Sequence, residues 1–237
     1  MKKYLLLLSL IAMSGVQYMT AQTFTSSLFD KIKKSNDKPV LAYNYKVFLK
    51  NVVENKIEDS IVGQYYKNAD GYIDSNASSI SIVNKKYYCK VDMPSRTITV
   101  STIEVLKEKL GLSSSDIIQP NIIDISDSII AQHGTFSSKI LPNGNHKIDV
   151  VFRNHDFAGF TVEIEKQTLL IKSIEFEVEE KNKFGENAGY SRIYRITDFK
   201  YQFDKSKILT DRFFKHENEK FSLAHKYARY HLLTITE

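Results

Sequence analysis

LAYNYKVFLKN, residues 41–51, decides how the rest of the chain is read. Leu41, Tyr43, Tyr45, Val47 and Leu49 fall on one side of a period of two, and Asn44, Lys46 and Lys50 on the other. Successive side chains of a strand point to opposite faces, so this alternation predicts a half-buried β-strand. Working outward, the same texture recurs in Ile61 to Tyr66, in Tyr87, Cys89, Val91 and Met93, and in Ile98 and Val100. It returns in Ile148, Val150 and Phe152, in Phe160, Val162 and Ile164, in Leu170 to Val178 and in Ile193 to Phe203.

Short turn signals separate these runs: Asp70-Gly71, Asn84-Lys85, Met93-Pro94-Ser95, Pro142-Asn143-Gly144-Asn145 and Asn154-His155-Asp156. Asn143-Gly144 is the strongest, because a type I′ hairpin turn needs positive φ at both central residues. Tight connections mean antiparallel neighbours, since a parallel crossover needs a dozen or more residues.

Helical spacing is confined to two places. Leu28, Phe29 and Ile32 share a face of a short amphipathic segment with Ser26 or Ser27 as N-cap. In mid-chain, Ser101 and Glu104 are spaced as a capping box, Ile103, Leu106 and Leu110 follow at helical spacing, and Gly111 is placed to stop the helix. Ser113-x-x-Asp116 and the isoleucine-rich 117–130 predict further helix around Pro120. The fold class is therefore mainly β with a helical insertion: a curved antiparallel sheet, or incomplete barrel, whose apolar concave side the helices cover.

The chain opens MKKYLLLLSLIAMSGVQYMTAQ, with Lys2 and Lys3 ahead of an apolar run from Leu5 to Met13 and the small Ala21 near the end. That predicts a signal peptide over residues 1–22, cleaved after Ala21 or Gln22, and a single domain over 23–237. The apolar run is too short to span a bilayer, which takes about 20 residues. The one cysteine, Cys89, is far from the cleavage site, so the exported, periplasmic protein is expected to be soluble and not lipidated, without an internal disulfide. Losing Lys2 and Lys3 takes the formal charge from +5 to +3, and Lys31-Ile32-Lys33-Lys34 and Lys85-Lys86 are short, isolated basic runs, which argues against a nucleic-acid partner.

No catalytic or metal constellation emerges. The histidines 133, 146, 155, 216, 225 and 231 lack paired ligand spacing, and there is no second cysteine, so no metal or cofactor is expected. His225 and His231 could converge from C-terminal strands, but they read more simply as polar residues on a half-exposed sheet. Glu163/Glu165 and Glu175/Glu177/Glu179 sit two apart on single strand faces, a solvated pattern that Lys172, Arg192, Arg195 and Lys200 would meet in cross-strand ion pairs. Cys89 alternates with Tyr87 and Val91 and reads as a buried small hydrophobe. What stands out is aromatic: 14 Tyr and 14 Phe with no Trp, many of the tyrosines on strands. An apolar concavity lined by them would suit an acyl chain or a hydrophobic peptide.

The layout resembles the periplasmic lipoprotein carrier and receptor superfamily, the LolA/LolB-like proteins. The likeness is carried by LAYNYKVFLKN, DSIVGQYYKNADGYID, KKYYCKVDM leading to RTITV, GFTVEIEKQTLLIKSIEFEVEE and RIYRITDFKYQF. It is nearest to divergent exported members from the Bacteroidetes, whose signal peptides often end in Ala-Gln. The tryptophans, and the arginine of the early Arg-Pro-x-x-Phe-x-Trp type stretch common in the carriers, have no counterpart here. The resemblance implies a half-barrel capped by helices and a non-enzymatic binding or carrier protein. Its ligand would be a lipid, an acyl chain, a lipoprotein or a hydrophobic segment of an envelope protein. The expected lining is Tyr43, Tyr45, Val47, Tyr65, Cys89, Val91, Ile98, Val150 and Phe152, with Leu106, Ile122 and Ile129 as helical lids. The alternative is a structural or accessory subunit of an outer-membrane or secretion assembly, docked through a sheet edge or the loop 180–188. A hydrolase assembled from residues distant in sequence ranks third.

Overall fold

In a computed structural model, residues 28, 30–110, 134–152, 157–181, 187–201, 208 and 210–235 are described. In chain order they form helix α1 (30–36), β1 (Leu41–Asn51), β2 (Lys56–Asn68), β3 (Gly71–Asn76), β4 (Ser79–Asn84), β5 (Tyr87–Asp92), β6 (Thr97–Thr102) and helix α2 (Ile103–Leu110). There follow β7 (Gly134–Ile140), β8 (His146–Phe152), β9 (Phe157–Ile164), β10 (Ile171–Lys181), β11 (Asn187–Lys200), β12 (Phe214–Glu217), β13 (Lys220–Leu223), a 3₁₀ turn (His225–Tyr227) and β14 (His231–Thr234). The chain divides into two compact units, Lys38–Ile122 with Lys172–Glu237, and Met1–Asp37 with Ile123–Ile171.

The larger unit carries a curved sheet that does not close into a barrel, with strand order β14-β6-β5-β4-β3-β2-β1-β11-β10. Residues directly opposite one another across a ladder share a face. The registers therefore draw two sides. One row runs Ala42, Tyr66, Ile73, Ile82, Cys89, Val100, and the neighbouring row runs Tyr43, Tyr65, Asp74, Ser81, Lys90, Thr99 on the opposite face. We refer to these as the cysteine face and the tyrosine face.

The cysteine face is closed by the chain's own C-terminal part. Ile73, Ile82, Cys89, Val91, Ile98 and Val100 form one buried cluster with Ile208, Phe213 and Phe214. Phe221, Leu223, Tyr227, Tyr230 and Leu232 pack around it, so the described residues between Ile208 and Leu232 function as a cover. The hairpin β12–β13 is set by Asn218 and Glu219, both with positive φ (50° and 62°), the two-residue pattern of a type I′ turn. That turn was expected at Asn143-Gly144. There only Gly144 is left-handed (φ 82°), because the connection spans Leu141 to Asn145 and is closed by Gly144 N–H to Leu141 O and Leu141 N–H to Asn145 O.

β14 is the one parallel member of the larger sheet, pairing His231–Thr234 with Thr97–Val100 of β6. A chain that crosses the cysteine face between β13 and β14 arrives at β6 running the same way, a long-range crossover that short-turn logic does not anticipate. Leu232 joins the cysteine-face cluster and Ile235 the small cluster of Val83, Ile103 and Leu106 on the other side.

Helix α2 follows β6 directly. Its cap differs from the expected Ser101: the ladder holds β6 through Thr102, so Ser101 is a buried strand residue donating to Ile235 O (3.2 Å), and Thr102 Oγ1 accepts the Val105 N–H (3.4 Å). Ile103 and Leu106 are buried as their spacing predicts. The expected helix over 113–130 and its stop at Gly111 lie outside the described residues.

In the smaller unit, β7, β8 and β9 form an antiparallel meander. Ile148, Val150, Phe152, Val162 and Ile164 alternate inward and are buried. Ile32 is the buried residue of α1, and Asn36 ties the helix end to the loop after β9: its Nδ2 donates to Ile32 O (2.7 Å) and Leu169 O (2.9 Å), and its Oδ1 accepts Ile171 N–H (3.0 Å).

The acidic strand faces behave as solvated surface. Arg195 pairs with Glu175 directly opposite it, Arg192 with Glu180 and Lys50 with Glu177. Such exposed pairs contribute about 0.2–1 kcal/mol each, so they set register more than stability.

Candidate binding face

The tyrosine face is built by β1 and the strands on either side of it. Tyr43 lies opposite Tyr65 of β2, and their rings stack at 4.8 Å between centroids and 16° between planes. Tyr65 stacks in turn on Tyr72 of β3 at 5.6 Å. On the other flank, β11 carries a bulge: Asn44 pairs with Thr197 but Ala42 with Lys200, and Asp198 takes the extra, left-handed position (φ 57°). An extra residue reverses the facing of everything beyond it. Phe199 is thereby brought to Tyr43, with ring centroids 5.4 Å apart.

Tyr45 lies opposite Gly63, and a Cβ added there would come within 2.1 Å of Tyr45 Cζ. The absence of a side chain at Gly63 lets the ring lie flat across β2 and reach β3, where Tyr45 Oη donates to Asp74 Oδ1 at 2.6 Å. Tyr65 Oη, on a residue only 5% exposed, has no hydrogen-bond partner among the described residues.

Burial dominates the titration of this group. It holds the phenols of Tyr43 and Tyr65 far above their ordinary value and pushes those of Tyr45 and Tyr72 up to about 12. Burial also raises the Asp74 carboxyl, against the downward pull of the Tyr45 hydrogen bond. A carboxyl raised in the folded state binds its proton more tightly than in the unfolded chain, whose value is 3.8. Asp74 therefore costs nothing below that pH and lowers stability as pH climbs through the folded value. Asp74→Asn, which keeps an acceptor for Tyr45, is expected to melt with the wild type at pH 3.5 and above it at pH 7. A lower melting temperature at pH 7 would contradict this account.

Toward the β1–β2 turn the face stays apolar. Ile61, Val47, Tyr194 and Phe176 stand in one row across four strands, with Tyr194 and Phe176 stacked at 4.7 Å. Val47 is half-buried and Ile61 is 45% exposed. Between this row and the tyrosines, Tyr45 is flanked by buried Ile196 and Ile174.

The expected lining residues divide. Tyr43, Tyr45, Val47 and Tyr65 share the tyrosine face. Cys89, Val91 and Ile98 do not join them: the register puts all three on the cysteine face, inside the core under the C-terminal cover, where burial pushes the Cys89 thiol up to about 12. Leu106 sits in α2 against Val83, Val150 and Phe152 are buried in the smaller unit, and Ile122 and Ile129 lie outside the described residues. Strand texture alone did not single out Asp74, Tyr72, Phe176 and Phe199. The Tyr72/Asp74 alternation in GYIDSN was the available signal, and Phe199 could be placed only with the bulge in hand.

A concavity in the larger unit, about 640 Å³, lies apart from these residues at the foot of α2 and mixes Thr102, Val105, Ile235 and Phe221 with His216, Glu219 and Lys220. His216 stacks on Phe221 and its Nδ1 lies 3.1 Å from Tyr87 Oη, a satisfied histidine. Among the described residues, no three of His, Cys, Asp and Glu are grouped to hold a metal, and no helix is long and apolar enough to cross a membrane.

No family model and no curated protein matches the sequence. Among solved structures, the chain is similar to an uncharacterized conserved protein from Thermus thermophilus (9% identity, 89% of this chain and 98% of that one, TM-score 0.40). It is also similar to a LolA superfamily protein from Nitrosomonas europaea (14%, 78% and 96%, TM-score 0.34). A third is a putative outer membrane lipoprotein-sorting protein domain from Vibrio parahaemolyticus (9%, 78% and 96%, TM-score 0.32).

Proposed function

We propose that this chain is a non-enzymatic binding or carrier protein of the periplasm. It would hold a lipid, an acyl chain or a hydrophobic segment of a partner against the tyrosine face of its larger unit. The observation that carries the reading is the contrast between the two sides of one sheet. The cysteine face is sealed by the chain's own residues between 208 and 232, whereas the tyrosine face runs from half-open apolar side chains at Val47 and Ile61 to a buried phenol with no partner among the described residues. Transfer of ligand surface from water, at roughly 25 cal/mol per Å², would supply the affinity, and no bond chemistry is required.

The neutral fluorophore N-phenyl-1-naphthylamine, titrated into protein purified without detergent, is expected to brighten and saturate with a 1:1 end point. Native mass spectrometry of the same protein should show a co-purifying acyl species. A clean apo mass together with no fluorescence change would overturn the reading.

One observation favours the accessory-subunit reading. Val53 is 87% exposed at the β1–β2 turn, with Val52, Ile57 and Val62 exposed nearby, more apolar surface at one hairpin end than solvation favours. An envelope partner docking there would co-purify from the native host under mild extraction and be lost on Val53→Asp. Residues 182–186 of the other suggested docking loop lie outside the described set.

A further inference from the structure

We propose that Asp74 and Tyr65 form the polar end of the tyrosine face and recognise a protonated primary amine on the bound molecule. The inference rests on the reading that the apolar part of that molecule lies along this face, and it adds the chemistry of its head.

The register makes Tyr65 and Asp74 direct cross-strand partners, and Tyr45 reaches the same carboxylate over Gly63. Both groups are left incomplete. Among the described residues Asp74 takes one hydrogen bond, from a neutral phenol, and no Lys or Arg side chain forms an ion pair with it. Tyr65 is 5% exposed, and its hydroxyl meets no partner among the described residues. A carboxylate half withdrawn from water with no described cation on it, beside a buried hydroxyl with no described partner, costs free energy that a fold selected for stability alone would shed.

The chemistry of the missing partner follows from what the two groups offer. A carboxylate and a hydroxyl oxygen form an acceptor-rich, negative environment. An anionic head would be repelled. A neutral carbonyl would take the Tyr65 O–H and leave Asp74 without a counter-charge. An ammonium meets both, donating to the free lone pairs of Asp74 and to Tyr65 Oη. Because Tyr65 must accept an N–H, the head is a primary ammonium rather than a quaternary one. Tyr45, Tyr72, Asp74 and Asn76 are only half-buried, so the head can be reached from the Asp74 side.

The test compares heads on one chain length. The full chain at pH 7 is titrated with dodecylammonium, dodecanol and dodecanoate, each displacing N-phenyl-1-naphthylamine. Dodecylammonium is expected to bind about ten-fold or more tighter than dodecanol, the order of one charge-assisted hydrogen bond. Non-specific attraction cannot imitate this result, since the chain's formal charge of +5 favours dodecanoate. Asp74→Asn should bring dodecylammonium to the dodecanol value, and Tyr65→Phe should reduce the ratio of dodecylammonium to dodecanol affinity several-fold. Equal binding of dodecylammonium and dodecanol by the wild type would overturn the amine inference and leave the apolar site standing. Failure of either to bind would remove both. The wild-type comparison decides even if a variant fails to fold.

Discussion

Phe213→Ala is expected to lower the unfolding free energy by about 3–5 kcal/mol, the cost of emptying a fully buried aromatic site. Phe213 is 1% exposed and sits in the cluster of Cys89, Val91, Ile98 and Val100, with Tyr227 against it at 5.2 Å. Its backbone is fixed as well: its N–H donates to Thr210 O, and its carbonyl accepts from Ala224. The surrounding backbone cannot collapse into the space. A domain has only about 5–15 kcal/mol in total, so the melting temperature should fall on the order of 10 °C. Urea denaturation of Phe213→Ala beside Val53→Ala checks this, because the exposed valine should stay within about 0.5 kcal/mol of wild type. Matching midpoints for all three would mean that residues 208–232 do not seal the cysteine face.

Gly71→Ala should be of similar size for a different reason. Gly71 opens β3 at φ 150°, a region essentially reserved for glycine, and an added Cβ would stand 1.9 Å from the backbone oxygen of Val83. The neighbouring strand would have to move, because a ladder carbonyl cannot rotate away as a side chain can. Strain of about 1–3 kcal/mol adds to the clash. The effect should reach the binding face, since β3 carries Tyr72 and Asp74. We expect Gly71→Ala to lose probe binding and stability together, whereas Asp74→Asn gains stability at neutral pH. A Gly71→Ala protein with a wild-type melt would contradict the β3–β4 register.

These expectations also show what the sequence could and could not reveal. LAYNYKVFLKN identified its strand and its apolar side because period two is local. The grouping of Tyr43 with Cys89 failed because parity is not local: both residues alternate with apolar neighbours, and only the registers through β2, β3, β4 and β5 show that they face opposite ways. One residue more or less in any of the four turns would reverse that assignment. The bulge at Asp198 is a working case, turning Phe199 toward Tyr43. β3 and β4 went unread because GYIDSN and SISIVN are short and half polar, and the parallel β14 because its partner β6 lies about 130 residues earlier. Ser101 was a plausible cap on spacing alone, but the ladder to β5 holds it in a strand.

Val47 and Val62 provide the most direct test, since they lie on adjacent strands with opposite facings: Val47 pairs with Ile61, and Val62 with Lys46. Each is replaced by aspartate and N-phenyl-1-naphthylamine binding is measured. If the tyrosine face is the binding face, Val47→Asp weakens binding about ten-fold or more, an uncompensated charge in apolar contact, while Val62→Asp binds as the wild type does. Equal losses, or a loss confined to Val62→Asp, would contradict it.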